Sequence, residues 1–222
     1  VGIVNGFLVP RFLGIEEYAV FKTFGLYAGY VGVLHFGFID GIYIKYGGMR
    51  REQVPKSQLK AELLFLLVFQ FVMLLAGVSI ALISNSPILI PVALSILPVN
   101  MVTFFKFLYQ ATGSFGQYAK INALTPVLTL LATLAIVFFI RGRSAVLFIT
   151  SVVIIHYVIL MLLMLGKGRS IFATKSRAII SKPMFENISV GIFIMVGNLS
   201  SMFFYSMDRW FVKVLLRTED FA

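Results

Sequence analysis

"LLFLLVFQFVMLLAGVSIALI", residues 63–83, runs its whole length without a charged side chain. A hydrocarbon core about 30 Å thick is crossed by roughly 20 apolar helical residues, so this stretch reads as one complete membrane span. An outer-membrane strand would need only about 10 residues and would alternate apolar with polar, which this stretch does not. Working outward and cutting at Gly, Pro and charge clusters predicts seven apolar helices, over 1–10, 20–45, 60–83, 88–111, 119–140, 145–166 and 186–216. The expected fold is all-α, a polytopic transmembrane bundle.

Composition agrees with that reading. The chain of 222 residues is 59% hydrophobic and 13% charged, with a mean hydropathy of +0.96, more apolar surface than one soluble core can hide. Cysteine is absent, which removes disulfide and thiol chemistry. The net charge of +10 does not point to nucleic acid, because the bases lie in short loops between apolar runs rather than in one stripe with aromatics. Lys45, Arg50, Arg51, Lys56 and Lys60 follow the second predicted helix, and Lys167, Arg169, Lys175, Arg177 and Lys182 follow the sixth. The positive-inside rule makes both loops cytoplasmic and puts residues 12–19 outside. No loop is long enough to form a soluble domain carrying an active site. "VGIVNGFLV", without a basic lead, is expected to begin inside a helix of a longer protein rather than at a signal peptide.

Two octets share a pattern. "FLGIEEYA" at 12–19 and "LLRTEDFA" at 215–222 are offset by 203 positions (215 − 12), and each follows a predicted helix leaving on the outer side. Six helices separate them, an even number that restores orientation, so they mark a parallel repeat about an axis along the membrane normal. The expected domains are a six-helix transmembrane lobe over 1–184, its first helix truncated, and the first helix of a second, pseudo-symmetric lobe over 185–222. The paired glutamates Glu16 and Glu17 then read as outer-side punctuation that starts the next helix with favourable charge at its N-terminus.

"PRFLGIEEYAVF" at 10–21, "GFIDGIYIKYGG" at 37–48 and "DRWFVKVLLRTEDFA" at 208–222 resemble the polysaccharide (O-antigen-type) flippases of the multidrug/oligosaccharidyl-lipid/polysaccharide exporter superfamily. The resemblance implies two six-helix lobes around a central cavity, in a multi-pass protein of the bacterial inner membrane that functions as a monomer. It also implies movement of a polyprenyl-pyrophosphate-linked oligosaccharide from the cytoplasmic to the outer leaflet by alternating access, with a proton or sodium ion as coupling partner. No cofactor and no enzymatic activity are expected, and membrane lipids are the other partner.

A charge in hydrocarbon costs roughly 2.5–3.5 kcal/mol, so each one asks for a partner or a wet cavity. Asp40 lies within the second predicted helix. It reads as a cavity carboxylate serving the inward gate or ion coupling, or alternatively as one half of a structural ion pair with Lys45 or with the neighbouring basic loop near the cytoplasmic interface. Asp208 and Arg209 lie in the last helix, where Arg suits a diphosphate because its guanidinium binds two oxygens at once, or else snorkels outward. Lys106 and Lys22 read as snorkelling residues or as a cationic wall. Asp40, Lys45, Lys106, Asp208 and Arg209 are the residues expected to face a transport chamber.

Among the other polar residues, Glu186 is expected to open the last helix, and His156 to relay protons or to bond a neighbouring helix. Gly25 and Gly29, then Gly37 and Gly41, with Gly32 between them, form small-residue pairs suited to close helix packing on the second helix. Pro91, Pro98 and Pro126 are expected to kink helices four and five. No GxxxxGK or HExxH occurs, and two isolated histidines without cysteine do not make a metal site. The alternatives to a flippase are a cation-coupled multidrug exporter of the same superfamily, which would want an acidic chamber, and a membrane-embedded glycosyltransferase or polymerase. The latter would need an acid or base opposite a pocket, usually presented on a long outer loop, for which the candidates are Glu16 and Glu17 on a short turn.

Overall fold

We describe residues 2–174 and 182–215 of a computed structural model; the second octet beyond Leu215, together with Lys175 and Arg177, lies outside them. The described residues are helical and form no strands. In chain order the helices are α1 (Gly2–Phe12), α2 (Ile15–Gly29), α3 (Phe38–Tyr46), α4 (Lys56–Ile83), α5 (Leu89–Ala111), α6 (Phe115–Ala135), α7 (Ala145–Leu163), α8 (Arg169–Phe172) and α9 (Lys182–Leu215). A π-helical turn over Ile136–Ile140 prolongs α6, and another over Met164–Gly168 joins α7 to α8. Among the described residues, five helices are long and apolar enough to cross a membrane: α4, α5, α6 with its extension, α7 through α8, and α9 from Phe185. This is a multi-pass membrane protein.

The predicted helix over 20–45 is the main correction. It starts earlier, at Ile15, and is two helices joined by a 3₁₀ segment, Tyr30–His35. Phe36 (φ 50°) and Gly37 (φ 77°) are both left-handed, a conformation that no right-handed helix can pass through. Apolar composition carries on across the break, and so it gave no sign of it.

At the centre stands α5. Half of its most apolar window is buried inside the protein, against 17% for α4 and 11% for α6 and α9. It packs on α2, α3, α4, α6, α7 and the 3₁₀ segment. The main core joins Phe38, Ile39 and Ile42 of α3 and Leu63 and Leu66 of α4 to Met101, Phe104 and Phe105 of α5 and Ile159 of α7. At the opposite end, Val9 and Leu13 meet Ile136 and Phe148. There the Ala145 N–H, at the start of α7, donates to the Glu17 carboxylate, and Ser144 Oγ accepts from Val146 N at 3.3 Å. Glu16 and Glu17 sit in the first turn of α2, as expected. The carboxylate of Glu17 also caps α7, so this acid serves two helix N-termini.

Two of the small-residue positions read from sequence mark real close approaches. A Cβ on Gly41 would collide with the backbone carbonyl of Asn187, and one on Gly37 would stand 2.5 Å from the Ile192 nitrogen. A Cβ on Gly191, across the contact, would in turn strike the Gly37 carbonyl. Helix α9 therefore lies backbone to backbone on α3. Gly25, Gly29 and Gly32 face open space instead. Of the prolines, Pro98 and Pro126 lie inside helices, whereas Pro91 falls in the first turn of α5, where no helical N–H bond is lost.

Gly41→Val is expected to destabilise by at least the 1–3 kcal/mol of ordinary overpacking, because the obstacle is backbone. Gly25→Ala, into open space in a helix interior, is expected to leave stability unchanged or raise it by up to about 1 kcal/mol. Thermal unfolding in detergent micelles should show a lower Tm for the first variant alone.

Candidate functional site

Breaking a helix among apolar neighbours frees backbone carbonyls that have little water to turn to, so such a break survives only where protein or a wet cavity satisfies them. Here two amide side chains do so. Asn100 of α5 donates from Nδ2 to the Val31 carbonyl (3.1 Å), to the Ile96 carbonyl of its own helix (3.0 Å) and to Gln70 Oε1 of α4 (2.8 Å). Gln70 in turn donates from Nε2 to the Leu34 carbonyl (3.1 Å). Both amides are 0% exposed. Neither residue was singled out from sequence: each is one polar position in a long apolar run, and the acceptors lie 36 and 69 positions away.

Asp40 and His35 belong to the same break. His35 closes the 3₁₀ segment and Asp40 stands in the first turn of α3. His35 Nε2 is 3.7 Å from Asp40 Oδ2, with both side chains buried. His35 Nδ1, Asp40 Oδ2 and Asn100 Oδ1 are buried without a hydrogen-bond partner. The break thus holds one carboxylate, one imidazole and unused acceptor capacity inside the bundle, an arrangement able to take up a proton or another small cation.

Lys45 does not pair with Asp40, as the sequence suggested; its partner is Glu62 of α4. Lys45 Nζ lies 2.6 Å from Glu62 Oε1, Tyr46 Oη donates to Oε2 at 2.7 Å, and Asn187 Nδ2 of α9 donates to Oε1 at 3.1 Å. Asp40 and Lys45 are five positions apart, which points them in different directions on a 3.6-residue helix, whereas Glu62 stands in the second turn of the facing helix. Glu62 is 0% exposed, and its charge is balanced by a lysine that keeps 24% of its side chain accessible. The sequence does not single it out: it stands near the start of the predicted 60–83 helix, where an acid beside Lys56 and Lys60 marks no particular partner.

The remaining expected site residues are not gathered around this centre. Lys106 is half-buried on α5 and forms neither of the two ion pairs found among the described residues. Asp208 and Arg209 are exposed on α9; Asp208 points away from Ser206, Trp210 and Lys213, whereas Arg209 flanks their face, three positions after Ser206 and four before Lys213. Those three reach α2 and the 3₁₀ segment: Ser206 bonds the Tyr30 hydroxyl, Trp210 Nε1 donates to it at 2.9 Å, and Lys213 meets the Tyr27 hydroxyl and lies over its ring at 3.7 Å.

Two smaller expectations, for His156 and Glu186, are corrected, and Lys22 takes the cavity-wall position that was one of its two readings. His156 bonds through Nδ1 to the Val152 carbonyl of its own helix at 2.8 Å, not to a neighbour. Lys22 lies over the Tyr18 ring at 5.1 Å, lining a cavity between α1, α2, α6 and α7. Glu186 falls in the second turn of α9, which begins at Lys182 with no acid in its first turn. Among the described residues no group of three or more His, Cys, Asp or Glu could hold a metal ion. Compared with family models, with curated proteins and with solved structures, the chain matches none of them.

Two stability measurements check the site. Lys45→Met, which strands the Glu62 carboxylate, is expected to cost about 3–5 kcal/mol, whereas Glu62→Gln keeps partners for Tyr46 and Asn187 and leaves a lysine able to reach the surface, so it should cost less. Asn100→Leu is expected to cost about 1–3 kcal/mol for stranding the Val31 carbonyl. Gln70→Leu added to it should cost clearly less than its single effect, because the two amides are bonded to each other; denaturant titration of the four variants in micelles measures this.

Proposed function

We propose that the chain is a six-helix lobe plus the first helix of a second, pseudo-symmetric lobe of a transporter. Its proposed cargo is a polyprenyl-pyrophosphate-linked oligosaccharide, flipped from the cytoplasmic to the outer leaflet of the bacterial inner membrane by alternating access, in cell-surface polysaccharide biosynthesis. The observation that carries a transport reading is the interrupted span at Tyr30–Gly37, with Asp40 and His35 buried beside it. Interrupted helices with ionisable groups at membrane depth are the form in which membrane proteins offer polar sites to a cargo or a coupling ion. The lipid-linked cargo rests on the resemblance of residues 10–21, 37–48 and 208–222 to polysaccharide flippases. In this reading α1, the interrupted α2–α3, α4, α5, α6 and α7 are the six spans of one lobe, and α9 opens the next.

Asp40 takes the role of coupling group. Arg209 and Lys106 are the cations offered to the pyrophosphate. Lys45 is committed to Glu62 and serves the lobe's own cohesion, and Asp208 stands on the exposed side of α9 with Arg209. A glycan headgroup cannot cross hydrocarbon unaided, so such a cation-lined path would supply what the bilayer lacks.

Burial of two acids, Asp40 and Glu62, favours a second reading, a cation-coupled multidrug exporter of the same superfamily. Flipping of a fluorescent lipid-linked oligosaccharide by the full protein in proteoliposomes separates the two. The flippase reading expects robust flipping, with Arg209→Ala and Lys106→Ala each slowing it about tenfold, equivalent to about 1.4 kcal/mol. Asp40→Asn is expected to abolish its dependence on an ion gradient. Wild-type rates in all three variants, or gradient-driven efflux of a cationic drug without flipping, would overturn it. Glycosidic bond formation or cleavage by the purified protein would instead assign it to the glycosyltransferases or polymerases.

A further inference from the structure

At the end of the bundle where α4 begins and α5 ends, a cavity of about 70 Å³ opens between α4, α5, α8 and the loop that follows α3. Three bases line it from three parts of the chain: Arg51 of the loop, Lys56 at the first position of α4, and Lys167 of the π turn before α8. Tyr109, only 3% exposed, lines its wall, with Thr112 and Ser170 as further hydroxyl-bearing neighbours. The Arg51 guanidinium lies 5.7 Å from the Tyr109 ring centroid. Among the described residues no acidic side chain lines the cavity. Its remaining walls are apolar, formed by Val54, Leu59, Phe105, Leu108 and Ile171.

Convergence of this kind is not what topology alone requires. The positive-inside rule asks for bases somewhere in the loops, and long side chains that repel one another in water normally spread apart. Here residues 51, 56 and 167 are brought around one concavity. The space is several times the roughly 10–15 Å³ needed for one water, but far below the roughly 300–1,000 Å³ of sites that enclose a whole small molecule. A single tetrahedral anion fits that scale, and cations with hydroxyl donors suit its oxygens. The apolar wall suits a hydrocarbon chain attached to it.

We propose that this cavity is a binding site for one phosphate group, taken from the headgroup of a phospholipid in the same leaflet or from free phosphate. Basic pockets between membrane helices on the cytoplasmic side commonly hold anionic headgroups. The site is separate from the interrupted span and does not rest on the proposed cargo: a protein that fails to flip glycans can still bind here.

The test uses the full protein in detergent, with dihexanoyl phosphatidylglycerol, dihexanoyl phosphatidylcholine and inorganic phosphate as probes, and thermal stabilisation as the readout. Phosphatidylglycerol is expected to raise Tm in a saturable way in the wild type, and Arg51→Gln/Lys167→Gln is expected to weaken its apparent affinity at least tenfold. Inorganic phosphate, competing at comparable concentration, would name free phosphate as the occupant; failure to compete would name the lipid. Lys120→Gln/Arg169→Gln removes two bases that do not line the cavity and should leave the affinity unchanged. An equal loss in that control, equal stabilisation by phosphatidylcholine, or no response to any probe in the wild type would overturn the proposal. If the Arg51/Lys167 variant fails to fold, Lys56→Gln alone, expected to weaken binding several-fold, provides the same decision.

Discussion

The bond from Asn100 to the Val31 carbonyl is the contact on which the architecture turns. An unpaired carbonyl among apolar helices costs several kcal/mol, so the helix break at Tyr30–Gly37, packed against the membrane-length helices α4 and α5, requires donors delivered from outside its own segment. Asn100 and Gln70 deliver them, and each fixes a neighbour in doing so: α5 and α4 must lie against the break, at a depth set by the reach of one amide. The hydrogen bond between the two amides then locks the register of α4 against α5. Apolar helices in lipid have little hydrophobic preference for one register over another, so polar contacts of this kind carry more of the specificity than they would in a soluble core.

Restarting the chain at Phe38 gives α3 its own direction, and that direction determines where α9 can sit. Gly37 and Gly41 present a face without side chains, and Gly191 answers with another. Such a contact depends on van der Waals packing alone and fades with small displacements, so it benefits from polar fastening. Both ends of α9 have it: Asn187 reaches Glu62, and Trp210 with Ser206 reaches Tyr30. The Glu62 carboxylate joins three helices through Lys45, Tyr46 and Asn187, which explains how a charge with no exposure is tolerated.

Most of the helix layout was legible because length and apolarity identify a span independently of its neighbours. The expected 60–83, 88–111 and 145–166 differ from α4, α5 and α7 only at their ends. The break was not legible, for a reason particular to residues 20–45. Its signal is one left-handed glycine among five, and Gly25, Gly29 and Gly32 carry the same helical spacing without being near anything. Asp40 was legible as a buried charge, but its partner was misjudged because Lys45 is closer to hand in sequence than in direction. Glu62, Gln70 and Asn100 were missed since their roles exist only through residues on other helices, which local pattern cannot supply.

The same contacts decide what can move. Helices α3 and α9 touch through backbone, so neither can slide on the other without opening a gap or a clash. Between α2 and α3, by contrast, the connection is a single 3₁₀ segment whose carbonyls are bonded by side chains that have other partners to hand, since Asn100 also bonds Gln70 and Ile96. Exchanging one such acceptor for another costs far less than exposing a carbonyl to lipid. The α3–α9 pair is in turn held to α4 through Glu62 and to the 3₁₀ segment through Tyr30, so it cannot turn as a unit without giving up those bonds. His35 and Asp40, at the break itself, are the groups that lie there without full hydrogen bonding. A proton or cation taken up between them would add a bond where none is now made, and a differential interaction of that kind is what any ligand needs to bias a conformational equilibrium.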